Sequence, residues 1–91
     1  MPSNADLGQA VRRLRWDRDL TIEALAFAAE MHPTYLSGIE RGLRNPTWAK
    51  ITSLAGALGV SLPALLETAE QEGEVARAVR ETRARIAAEQ H

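Results

Sequence analysis

Five start signals cut this chain into short helical pieces and leave no stretch that alternates as a strand would. Ser3, Thr21, Thr47 and Ser61 are hydroxyl residues followed by apolar residues at helical spacing, and Pro33 suits a first helical turn, where a missing N–H costs nothing. The first helix is predicted from about Ser3 to Arg18, with Leu7, Ala10, Val11 and Leu14 on one face and Ser3 and Asp6 forming a capping box. Thr21 opens a second through about Ala29, with Leu25, Ala26 and Ala29 inward. A third, about nine residues long, begins at Pro33, is anchored by Leu36 and Ile39, and ends at Gly42. Ile51, Leu54, Ala55 and Leu58 mark a fourth, closed by Gly59. Ser61 and Pro63 open a fifth, with Leu62, Leu65 and Leu66 as its apolar side. The expectation is a compact all-α domain of five helices over residues 1–66. Residues 67–91 form a helical extension rich in Ala, Glu and Arg, with a break expected at Gly73.

Composition removes several functions. The chain has 91 residues, 45% hydrophobic and 25% charged, enough for one folded core and too apolar for disorder. It has no cysteine, which excludes disulfides, thiolate catalysis and Cys-ligated zinc. The two histidines, His32 and His91, are far apart, so neither a metal site nor a histidine catalytic pair is expected, and no cofactor is implied. No nucleophile, base and orienting group recur at useful spacing, so an enzyme is not expected. No apolar run approaches the roughly 20 residues of a membrane span, and MPSNADLGQA lacks the regions of a signal peptide; a cytoplasmic protein without membrane contact is the simplest expectation. Net charge is −1, divided into +1 up to Leu66 and −2 beyond it. Attraction to phosphate would therefore depend on where arginines converge within a Debye length, about 8 Å at physiological salt.

Only Glu30, Met31 and His32 separate the second and third helices, the spacing of a helix-turn-helix, whose second helix can enter a DNA major groove. Short helices with tight turns also occur in bundles that never meet DNA, so spacing leaves both readings open. The residues carry more: Leu25-Ala26, Ile39-Glu40-Arg41-Gly42, Arg44-Asn45-Pro46, Ala55 and Leu58-Gly59-Val60. From about Leu7 to Leu66 the chain resembles the helix-turn-helix domain of Cro/C1-type repressors and xenobiotic-response-element regulators. The run TYLSGIERGLRNP is also similar to the controller proteins of restriction–modification systems. The resemblance implies a lambda-repressor-like fold and a transcription regulator that binds double-stranded operator DNA, palindromic in sequence, as a homodimer.

It also implies roles. Glu40 would face inward and pair with Arg15 of the first helix, fixing the tilt of the reading helix, residues 33–41; a guanidinium fork suits a desolvated carboxylate. Thr34, Tyr35, Ser37 and Gly38 fall away from Leu36 and Ile39 and would face the groove, with Thr34 and Ser37 able to bond base edges or phosphates. Gly38 either lets the backbone approach DNA or tolerates a crowded neighbour. Arg41 and Arg44 occupy positions where the family contacts the DNA backbone, and Asn45 adds an uncharged donor; a solvated loop is the alternative. Pro33 stands where controller proteins can present a reading side chain, so direct readout is thin and DNA shape would supply part of the specificity. Ile22 replaces a phosphate-contacting glutamine, Asp19 and Glu30 replace turn glycines that often take positive φ, and an exposed Phe27 would mark a protein contact.

Two surfaces compete for the dimer. Leu62, Leu65 and Leu66 lie where the family commonly dimerises, while Val75, Val79, Thr82 and Ile86 form a narrow seam of the coiled-coil kind, flanked by an i,i+4 pair of Glu81 and Arg85. The extension could lengthen the dimer, fold back on its own domain or bind another protein. Glu67, Glu70, Glu72 and Glu74 read as a solvated acidic face, and Trp48 as a cover for the third helix. The alternative function is a protein-interaction module of the antitoxin or anti-repressor type that uses the C-terminal helix.

Overall fold

The computed structural model describes residues 1–90; His91 lies outside the described residues. Among them are five helices and no strand: α1 (Asn4–Asp17), α2 (Ile22–Ala28), α3 (Pro33–Glu40), α4 (Trp48–Leu58) and α5 (Leu62–Glu89). Each begins at a residue able to cap it. Ser3 accepts from the Asp6 N–H and completes a capping box, while Thr21, Thr47 and Ser61 accept from the third residue onward. His32 caps α3 through Nδ1, which accepts the Thr34 N–H at 3.1 Å.

One core forms where the helices cross. Leu7, Ala10 and Val11 of α1 meet Leu25 and Ala26 of α2, Leu36 and Ile39 of α3, Ile51, Leu54, Ala55 and Leu58 of α4, and Leu65 and Ala69 of α5. The most extensive packing joins α1 to α5, then α1 to α3. Gly8 permits the second of these: a Cβ there would fall 2.7 Å from the Glu40 carbonyl oxygen and closer still to that of Ile39. The end of α3 therefore rests on bare α1 backbone. Arg18, just past α1, donates from Nε to the Leu58 carbonyl at 2.5 Å and so serves the open C-terminal end of α4. Gly42 and Gly59 end α3 and α4 at φ 74.

Three expectations are corrected here. The fifth helix is not short and Gly73 does not break it, because α5 runs unbroken for 28 residues. Gly73 instead lets α5 pass close to the start of α1, since a Cβ there would meet the Asp6 carboxylate at 2.6 Å. A division after Leu66 also has no counterpart in the backbone, for Ala69 is a fully buried core residue in mid-helix. Leu65 is fully buried within its own subunit as well, so it cannot contribute to a dimer face without opening the core, whereas Leu62 and Leu66 are half-buried. Beyond Gly73 the helix leaves the core and projects, giving a molecule 51 Å long and 24 Å across. Val75, Val79 and Ile86 are exposed on it, so only the first part of the extension, through Gly73, packs on its own domain. No single helix among the described residues is long and apolar enough to cross a membrane.

Candidate nucleic-acid interface

The site is built on α3, and what fixes α3 is a buried carboxylate. Glu40, at the last turn, is 2% exposed. Arg15 of α1 meets it with both arms of the fork, Nε to Oε2 at 2.7 Å and Nη2 to Oε1 at 3.0 Å. The remaining Arg15 nitrogen, Nη1, donates to the Leu20 carbonyl at 2.9 Å in the turn between α1 and α2. One guanidinium thus ties together α1, the first turn and the end of α3. The hydrogen bond from Glu40 raises the Arg15 pKa above the ordinary arginine value against the opposing effect of burial, and the charges of Glu40 and Glu23 add to the rise.

Sequence reasoning missed the second cation. Arg12 Nε lies 3.4 Å from Glu40 Oε1, and its guanidinium stands over the Trp16 ring at 5.8 Å. Its position three residues before Arg15, on the same helical face, was the available signal. Also missed were Gly8, visible only as a glycine inside a helix, and Arg13, which pairs with Glu72 of α5. That last contact corrects the reading of the acidic cluster as wholly solvated.

With Leu36 and Ile39 in the core, the opposite side of α3 faces outward. Thr34, Arg41, Arg44 and Asn45 are exposed, while Pro33, Tyr35 and Ser37 are half-buried. Arg41 Nε reaches the Ser37 carbonyl at 3.4 Å. Of the two readings of Gly38, its placement matches the crowded neighbour: it is buried, covered by the Arg44 side chain, whose guanidinium carbon sits 5.9 Å from the centre of the Tyr35 ring. The turn before α3 holds Glu30 at φ 56 and the turn before α2 holds Asp19 at φ 53, both left-handed. Half of the Trp48 surface is open, and the side chain lines a groove of about 270 Å³ with Met1, Leu7 and Leu66, a groove to which α3 contributes no residue. Among the described residues no group of three or more His, Cys, Asp or Glu side chains is placed to hold a metal ion.

A family model described as a helix-turn-helix domain matches residues 6–69. The chain belongs to this helix-turn-helix family. Its motif is α2, the turn Ala29–His32 and α3. Control protein C.BamHI of Bacillus amyloliquefaciens is 43% identical over 61 residues, covering 66% of this chain and 75% of that protein. The operator-bound tetramer of the restriction-modification controller protein C.Esp1396I aligns with a TM-score of 0.71 at 29% identity, over 76% of this chain and 91% of that one. The clp gene regulator ClgR of Corynebacterium glutamicum aligns with a TM-score of 0.83 at 33% identity, over 97% of this chain and 93% of that one. That last superposition takes in the helix-turn-helix and reaches into the projecting part of α5.

Proposed function

We propose that this helix-turn-helix protein is a sequence-specific regulator of transcription that binds double-stranded operator DNA as a homodimer, with the outer side of α3 in the major groove. The observation that carries the reading is the combination at α3: its one buried acid is neutralised by Arg15 and Arg12, so the side turned outward presents hydroxyls and cations without a competing carboxylate. The operator complex of C.Esp1396I supports the same use of a similar fold. The name of C.BamHI, a control protein, supports a regulatory rather than an enzymatic role.

Residue roles follow from placement. Thr34 and Ser37 bond base edges or phosphates, and the Thr34 methyl meets thymine. Arg41, Arg44 and Asn45, around the end of α3, hold the sugar–phosphate backbone, while Pro33 sets the first turn and Tyr35 lies beside Arg44. Arg15 and Glu40 set the tilt. A single α3 reads few base pairs, so two subunits place their helices about 34 Å apart, one DNA turn. The dimer forms on an open part of α5, either the half-buried Leu62 and Leu66 or the exposed Val75, Val79 and Ile86, two sets that lie on different sides of one continuous helix.

The exposed ring of Phe27, 88% open, and the bare α5 seam are the features that would serve an interaction module. The relatives favour the regulator instead, and the seam is accounted for by a second copy of the chain. Selection of sites from a pool of random duplexes tests the reading. Enrichment of a two-fold symmetric site with half-sites one turn apart is the expected result, and recovery of no preferred sequence would contradict it.

A further inference from the structure

Gly38 and Arg44 form a contact that the helix-turn-helix reading does not require. A Cβ built on Gly38 would lie 2.8 Å from Arg44 Cγ, 3.2 Å from its Nε and 3.6 Å from its Cδ. Its three nearest neighbours are all atoms of this one side chain. The Leu43 N–H donates to the Gly38 carbonyl at 2.9 Å, which folds the loop back over the helix end and brings Arg44 onto it. Past Gly38 the chain of Arg44 continues to Tyr35, one turn earlier on α3, and its guanidinium stops over the phenol ring. A missing side chain and an aromatic ring thus make a track along the outer edge of α3, with Arg44 lying in it.

We infer that Gly38 and Tyr35 are positioning residues for Arg44: together they hold its guanidinium in place on the groove side of α3 before DNA arrives. The inference rests on the proposed function and deepens it at the same site. A long arginine on a loop samples many rotamers in solution and loses that freedom when it binds phosphate or a base edge. Contact with the ring through cation–π attraction, and with the glycine through close packing, removes part of that loss in advance. Gly38 therefore acts through a side chain, and its effect on DNA binding vanishes when that side chain is absent. If the glycine served instead to bring α3 backbone against DNA, adding a methyl group there would harm binding whether or not Arg44 were present.

A double-mutant cycle on the full chain separates the two, using the duplex recovered from random-pool selection as the probe. Gly38→Ala is expected to leave the melting temperature equal or higher, since Ala is the better helix former, while weakening DNA binding roughly three- to tenfold. In an Arg44→Ala background, the same Gly38→Ala change is expected to leave affinity unaltered. Tyr35→Phe keeps the ring and retains affinity more fully than Tyr35→Leu. A readout without DNA accompanies the cycle: the Arg44 side-chain methylenes should show ring-current shifts in the nuclear magnetic resonance spectrum, lost in both Gly38→Ala and Tyr35→Leu. Equal loss of affinity from Gly38→Ala with and without Arg44 overturns the inference, as does full affinity in the single variant or the absence of ring-current shifts. Those results leave wild-type binding intact and so differ from failure of the proposed function, in which the unaltered protein binds no selected duplex.

Discussion

At the scale of single residues, Glu40 is the most exposed to test because it is buried and charged. Removing one partner of a buried ion pair costs about 3–5 kcal/mol, whereas an exposed pair contributes about 0–1. Glu40→Ala should therefore lower the thermal midpoint sharply, while Glu72→Ala, which breaks the more exposed pair with Arg13, should hardly move it. A small shift for Glu40→Ala in a melting experiment would mean that Arg15 and Arg12 do not depend on it. Glu30 is the opposite case. Its φ of 56 is a conformation that costs an L-residue about 1–2 kcal/mol, part of which glycine gives back in unfolded-chain entropy. Glu30→Gly should raise stability by about 0.5–1 kcal/mol, read from the denaturant midpoint, and an unchanged or lower midpoint would show that the side chain compensates for its backbone.

At the scale of elements, the helix starts were legible because each depends on chemistry within three residues: Ser3 with Asp6, Thr21, Pro33, Thr47 and Ser61 announce themselves locally. The course of α5 was not. Gly73 reads as a break when only helix propensity is weighed; the reason for a glycine there, the carboxylate of Asp6, lies 67 positions earlier in the chain. At Gly38 the sequence left open a close approach to DNA or a crowded neighbour, and could not name that neighbour, because Arg44 belongs to a loop whose path no periodicity describes. Gly8 went unread because contact with another helix's carbonyls leaves no mark beyond a glycine in an apolar face. Tertiary proximity, in each case, decided what local rules could not. For α3 itself the expectation concerns two kinds of contact. Arg44→Ala should weaken binding to all sequences and reduce the slope of affinity against salt by about one, whereas Thr34→Ala should alter sequence preference with the slope kept. Parallel titrations of both variants check this, and identical behaviour would contradict the division of roles.

At the scale of the whole molecule, the core closes at Ala69 and α5 then continues alone, with Val75, Val79 and Ile86 facing outward. Deleting residues 74–91 should leave the melting temperature of the domain nearly unchanged but weaken self-association, and sedimentation that finds the dimer intact would assign the interface to Leu62 and Leu66 alone. The charge distribution fits the same division, because the slightly acidic extension has no reason to approach phosphate, while the arginines near α3 do. Everything then turns on whether the outer side of α3 lies in the wide groove of the duplex. Chemical interference mapping addresses that directly, because methylating guanine N7 blocks the major groove and methylating adenine N3 blocks the minor. Two symmetric patches of guanine N7 interference, about one helical turn apart, are the expected result; interference confined to adenine N3, or none in either groove, would contradict it.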